Sequence, residues 1–141
     1  MLIGKYFHNV DAKGRVSMPA KFRDSLGGQF VLSCGRGQCL QIYSMEEWSK
    51  FMNELLALKG SDANKLRKAI FSNSVDCEID AQGRILLPSE YRDFAKISRE
   101  VAFIGMCDHA EVWDKATWDK QTEDPDFTPE GIEALMEKLG L

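Results

Sequence analysis

The chain has 141 residues, 44% of them hydrophobic, and a formal net charge of −4 at pH 7. Its length fits one compact domain, or two small ones sharing a core. No apolar run approaches the roughly 18 residues that a membrane helix needs, and Met1-Leu-Ile-Gly-Lys lacks the layout of a signal peptide, so a cytosolic protein is expected.

Ile3 to Val10 is the first strand candidate. It runs into Asp11-Ala-Lys-Gly-Arg15, where the aspartate can accept from backbone N–H groups ahead of it and glycine tolerates positive φ. This predicts a hairpin tip, with Arg15 starting the return strand. Pro19 suits the first turn of a helix, and a short helix through Phe22 and Leu26 should end at Gly27. Gln29 to Ser33 and Cys39 to Tyr43 read as a strand pair around Gly35-Arg36-Gly37. Ser44-Met-Glu-Glu47 is a capping box for a helix with Trp48, Phe51, Met52, Leu55, Leu56 and Leu58 on its apolar face.

Gly60-Ser-Asp should break that helix, and a second follows through Leu66, Ala69, Ile70 and Phe71. Val75-Asp-Cys-Glu-Ile79 alternates with period two, the mark of a half-buried strand, and leads to Asp80-Ala-Gln-Gly-Arg84. Pro88 then opens a short helix with Tyr91, Phe94 and Ala95 facing inward, and strands follow at Val101 to Gly105 and Glu111 to Trp113. Thr128-Pro129 opens a last helix with Ile132, Leu135, Met136 and Leu139 at helical spacing.

The chain repeats itself. Val10-Asp-Ala-Lys-Gly-Arg-Val-Ser-Met-Pro-Ala-Lys-Phe-Arg-Asp24 returns as Ile79-Asp-Ala-Gln-Gly-Arg-Ile-Leu-Leu-Pro-Ser-Glu-Tyr-Arg-Asp93, with seven identical positions. The likeness continues through Val31 and Val101, Gly35 and Gly105, Ser44 and Asp114, and Trp48 and Trp118. The expected organisation is a first repeat over residues 5–47, a helical connector over 48–75, a second repeat over 76–119 and an acidic segment with a helix over 120–141. A unit of roughly 45 residues hardly buries a core alone, so the two should complete each other.

Charge is unevenly spread. Residues 1–43 carry six basic side chains (Lys5, Lys13, Arg15, Lys21, Arg23, Arg36) against Asp11 and Asp24, whereas eleven acidic groups face three basic ones from residue 100 onward. A cationic working surface with an acidic segment held apart is a nucleic-acid pattern; a solvated tail kept for solubility would look the same. Cys34, Cys39, Cys77 and Cys107 form no C-x-x-C pair and have only His8 and His109 beside them, so free thiols are expected and neither a metal nor another cofactor.

The two D-x-x-G-R motifs, each with an apolar run, proline and short helix at matching offsets, together with Gly105-Met-Cys-Asp-His-Ala-Glu-Val-Trp-Asp114, resemble the MraZ family of bacterial transcriptional regulators, which carry two SpoVT/AbrB-type domains. The resemblance covers nearly the whole chain. It implies an α+β, mainly β fold: a swapped-hairpin, AbrB-like β-barrel built from both repeats, with connecting and C-terminal helices. It implies a nucleoid-associated regulator that binds double-stranded DNA as a ring-like homo-oligomer of about eight subunits. The targets would be tandem G-containing repeats in the promoter of the division and cell-wall gene cluster.

Arginine can donate bidentately to O6 and N7 of guanine, which makes Arg15 and Arg84 the candidates for base readout. Lys13, Lys21 and Arg23 are candidates for phosphate contacts. Asp11, Gly14, Asp80 and Gly83 would hold the turns and orient the arginines. The plain alternative is that each Asp–Arg pair is only a salt bridge within its turn. Gln82 replaces Lys13 and Glu90 replaces Lys21 in the second copy, so the first repeat should make more phosphate contacts.

Trp48, Trp113 and Trp118 are expected to pack in the core or at subunit contacts. Enzymatic readings fare worse. Asp11 and Asp80 as an acid dyad would have to share a proton in a sheltered cleft, yet each is followed by its own arginine. Cys107-Asp-His109 has no visible oxyanion or base constellation around it. A non-enzymatic protein with no small-molecule substrate is expected. The rival binding class is an antitoxin-like or scaffold protein whose barrel mainly holds a protein partner.

Overall fold

In the computed structural model, residues 1–34 and 37–141 are described; Gly35 and Arg36 of the expected Gly35-Arg36-Gly37 turn, and with them the match of Gly35 to Gly105, lie outside the described residues. The first repeat contributes β1 (Lys5–Asn9), β2 (Arg15–Ser17), α1 (Ala20–Leu26), β3 (Gln29–Ser33) and β4 (Leu40–Ser44). Helices α2 (Met45–Ala57) and α3 (Ser61–Ser72) connect it to β5 (Ser74–Glu78), β6 (Arg84–Leu86), α4 (Ser89–Phe94), β7 (Glu100–Gly105) and β8 (Ala110–Asp114). Helix α5 (Lys115–Gln121), a 3-10 turn (Pro125–Phe127) and α6 (Pro129–Lys138) close the chain.

Local chemistry sets the helix ends. The Pro19 carbonyl accepts from Phe22 and Arg23, so proline sits at the N-cap of α1, one position earlier than its sequence context suggests, and Pro88 does the same for α4. Ser44 Oγ accepts from the Glu47 N–H at 3.1 Å, while the Glu47 carboxylate takes Lys50 Nζ instead of closing the capping box. Asp114, the repeat partner of Ser44, caps α5 in the same way by accepting from the Thr117 N–H at 3.2 Å.

The strands that flank each Asp-to-Arg turn pair across the repeats, whereas β3 with β4 and β7 with β8 pair within their own repeat as predicted. β1 runs antiparallel to β7 of the second repeat, β5 pairs with β3 of the first, and β2 pairs with β6. The outcome is a six-stranded antiparallel sheet in the order β1-β7-β8-β4-β3-β5, facing a separate β2-β6 ribbon. This is the swapped arrangement, with its ladder open instead of running continuously around a barrel. Each ribbon strand has only three residues and runs towards Pro19 or Pro88, which have no N–H to extend a ladder.

The main core fills the space between sheet and ribbon. Val16, Met18, Phe22, Phe30 and Leu32 of the first repeat meet Ile85, Leu87, Tyr91, Val101, Phe103 and Val112 of the second. Strand alternation sends the intervening side chains to the opposite sheet face. There Val31 and Tyr43 pack with Trp48, Leu55 and Ile70, which seats α2 and α3 over β3 and β4. Trp113 meets Trp118 with ring centroids 6.1 Å apart and Lys115 lies over Phe7, which seats α5 over the β7 and β1 half.

Because the main core is built from both repeats, the chain should unfold in one step. Phe103→Ala should cost about 3–5 kcal/mol. In urea, the far-ultraviolet circular dichroism and tryptophan fluorescence curves of this variant should still coincide; separated transitions would indicate independent halves.

Candidate nucleic-acid interface

Each Asp-to-Arg turn is organised by one carboxylate. Asp11 Oδ1 accepts the backbone N–H groups of Lys13 and Arg15, both at 2.9 Å, and Oδ2 accepts Arg15 Nε at 2.9 Å. Asp80 repeats this with Gln82 N and Arg84 N at 2.9 Å and Arg84 Nε at 3.0 Å. The backbone closes each turn, with Asp11 N donating to Arg15 O at 2.8 Å and Asp80 N donating to Arg84 O at 2.9 Å. Gly14 and Gly83 take φ of 82° and 77°, the left-handed region that a side chain would strain.

Beyond their closing bonds the turns hold each other. Met18 N donates to Gly83 O at 2.9 Å, and Leu87 N donates to Gly14 O at 2.8 Å. Arg23 Nε donates to Met18 O at 3.1 Å, and its guanidinium lies so close to Gly83 that a Cβ there would stand 2.4 Å from Arg23 Cζ. Arg92 mirrors it, donating to Leu87 O at 2.9 Å and lying against Gly14. The repeated arginine of α1 and α4 thus braces the turn of the opposite repeat. Sequence reasoning assigned Arg23 to phosphate and left Arg92 aside; the only signal for the shared bracing was their equivalent place in the two copies.

The ribbon register places Arg15 opposite Leu86, Val16 opposite Ile85 and Ser17 opposite Arg84. Val16 and Ile85 point into the core, so Arg15, Ser17, Arg84 and Leu86 share the outward face. The Arg15 and Arg84 side chains are 33% and 28% exposed, and Arg84 Nη1 lies 3.9 Å from Asp11 Oδ2, which brings the two motifs together on one surface. The Asp–Arg ion pairs exist and use Nε in both turns. Arg84 Nη2 also donates to Gln82 Oε1 at 3.3 Å, whereas the Nη groups of Arg15 have no hydrogen-bond partner among the described residues. Lys13 and Lys21 are exposed, and Arg23 is half-buried. Leu86, opposite Arg15 in the apolar run Ile85-Leu86-Leu87, is 53% exposed.

The backbone N–H of Arg15 holds the Asp11 carboxyl below its usual range against a smaller opposing effect of desolvation, with the Arg15 guanidinium and the Lys13 N–H adding to it. The Arg84 N–H does the same for Asp80. Both aspartates are therefore firmly ionised, the reverse of a dyad in which one carboxyl must keep its proton.

Comparison with known proteins places the chain in a family. The family described as "MraZ protein, putative antitoxin-like" matches residues 1–68 and 70–130. A protein of Thermoanaerobacter sp. (strain X514) named transcriptional regulator MraZ is 43% identical over 143 aligned residues, covering 100% of both chains. Proteins of the same name from Caldanaerobacter subterraneus subsp. tengcongensis and Caldicellulosiruptor saccharolyticus are each 41% identical, again with 100% of both chains covered. The chain belongs to the MraZ family.

Two outcomes test the turn geometry. Gly83→Ala places a Cβ against the Arg23 guanidinium at a positive φ and should destabilise the protein by about 1–3 kcal/mol. For the aspartates, folded-state values below the ordinary 3.8 mean that the unfolded chain binds protons first. Their stabilising contribution is complete above that value and is lost as pH falls from it through the lower folded values. Urea midpoints should therefore fall less steeply below pH 3.8 in Asp11→Asn/Asp80→Asn than in the wild type.

Proposed function

We propose that this member of the MraZ family is a non-enzymatic, DNA-binding transcriptional regulator in which the β2-β6 ribbon enters the major groove of double-stranded DNA. The observation carrying this reading is the pair of guanidinium groups on one outward face, each aligned through Nε by its own aspartate. Alignment through Nε leaves both Nη groups of Arg15 open to meet O6 and N7 of guanine as a planar fork, and Arg84 does the same on releasing the Gln82 Oε1 that its Nη2 holds at 3.3 Å. Arg15 and Arg84 read bases in this account. Lys13 and Lys21 neutralise phosphates, with Arg23 contributing at the edge while it braces Gly83.

The two halves of the face are not equal. Lys13, Ser17 and Lys21 of the first repeat correspond to Gln82, Leu86 and Glu90 of the second. A face with a cationic side and a neutral or acidic side binds the duplex in one direction, which suits direct tandem repeats better than palindromes. The homo-oligomer, a ring of about eight copies in this reading, would set one such face against each G-containing repeat spaced about one helical turn, roughly 10 bp, apart. The promoter of the division and cell-wall gene cluster is the proposed target and the nucleoid the proposed location. No helix among the described residues is long and apolar enough to cross a membrane.

The family's antitoxin-like description supports a second reading in which a protein partner is the main ligand. A gel shift on a duplex with tandem repeats separates the two. Arg15→Ala and Arg84→Ala should each weaken operator binding by about 1–3 kcal/mol while leaving oligomer mass unchanged. Lys13→Gln should weaken operator and random DNA alike and lower the slope of log affinity against log salt by about one. Wild-type protein that ignores the duplex yet retains a protein partner would establish the antitoxin-like reading.

A further inference from the structure

Repeat symmetry breaks down in the helices that follow each repeat, and the exposed apolar surface concentrates there. Helix α6 has no buried residue and packs substantially only on the 3-10 turn before it. Ile132, Leu135, Met136 and Leu139 recur at i, i+3, i+4 and i+7, forming one stripe whose members are 37–75% exposed. Glu133 borders that stripe, and Glu130 and Glu137 follow it round towards the far side of the helix.

A complementary surface lies on the other half of the molecule. Between α2 and α3 an open groove is lined by Leu56, Asn64, Arg67, Lys68, Phe71 and Ser72, and Leu56 is 57% exposed. Its walls are held in place by Arg67, which donates to the carbonyls of Leu55 and Leu58 at 3.1 and 2.7 Å. Lys65 and Lys68, one turn apart on α3, give it a basic flank. An apolar stripe bordered by Glu133 thus complements an apolar groove bordered by Lys65 and Lys68.

We propose that α6 of one copy seats its stripe in the α2–α3 groove of a second copy, joining chains head to tail. This names the surfaces behind the homo-oligomer and rests on that part of the functional reading, not on its DNA part. The groove covers β3 and β4, whereas α5, which leads to α6, covers the β7 and β1 half. The groove and the helix that leads to α6 therefore lie over different halves of the sheet. Contacts between two different surfaces of one chain propagate until they close, giving a ring if the rotation allows. The groove helices α2 and α3 lie on the sheet face away from the ribbon, so a helix seated between them leaves Arg15 and Arg84 of that copy uncovered.

Light scattering on the full chain after size exclusion tests this. Wild type should assemble into a multi-subunit species. Leu135→Glu/Leu139→Glu and, separately, Leu56→Glu/Lys68→Glu should weaken association about tenfold or more and run as monomers. An equimolar mixture of the two variants should form a 1:1 dimer that grows no further, because the first keeps an intact groove and the second an intact α6. The same dimer shows that both variants are folded. A tail variant that assembles like wild type, or a mixture that stays monomeric, would overturn the proposed contact. A monomeric wild type would remove the homo-oligomer as well. Binding of the monomeric variants to a single-repeat duplex reads the DNA function independently of either outcome.

Discussion

The arrangement depends on one repeated interaction, an aspartate carboxylate that accepts two backbone N–H groups from its own turn and the Nε of the arginine that ends it. Asp11 and Asp80 use both oxygens in this way. The carboxylate fixes the turn and the guanidinium together, so the direction of Arg15 or Arg84 is a property of the backbone more than of a flexible side chain. Pre-alignment matters for recognition because a side chain already held in place loses less freedom on contact. An exposed ion pair of this kind contributes little to stability on its own. Its consequence here is geometric.

The turns are in turn fixed by exchange between repeats. Gly14 and Gly83 each present a carbonyl to the other repeat's ribbon strand, and each receives the flat guanidinium of the opposite helix where a side chain would otherwise stand. This reciprocity turns a duplicated sequence into one braced outward face. It also lets the two halves diverge in charge without losing their geometry, since the residues that differ, Lys13 and Gln82 or Lys21 and Glu90, are exposed and lie outside the bracing set. The face can therefore be directional while its scaffold stays nearly symmetric.

Much of this was legible in the sequence because the signals were local. Turn chemistry at Asp11-Ala-Lys-Gly14, the caps at Ser44 and Thr128, and the strand at Val75 to Ile79 each depend on a few adjacent residues, and each has its counterpart in the structure, although Val75 is exposed at the sheet edge and only Cys77 and Ile79 are half-buried. Strand partners were less legible, since β1 is as able to pair with β2 as with β7 until the core is assembled. Duplication signalled that the halves share a core, but not that every outer strand changes sides. The role of Arg23 and Arg92 was hidden for the same reason, because their contacts lie on a turn that is remote in sequence. Leu86 stands in an apolar run, and its pairing opposite Arg15 shows that it faces outward.

Protection of guanine N7 from methylation tests the central claim most directly. On a duplex of tandem repeats, wild-type protein should shield guanines in every repeat. Arg15→Ala and Arg84→Ala should each uncover a different guanine position, recurring with the repeat, while the remaining positions stay shielded. If both variants retain the full wild-type pattern, the two guanidinium groups do not read the bases, and the ribbon is not the surface that meets DNA.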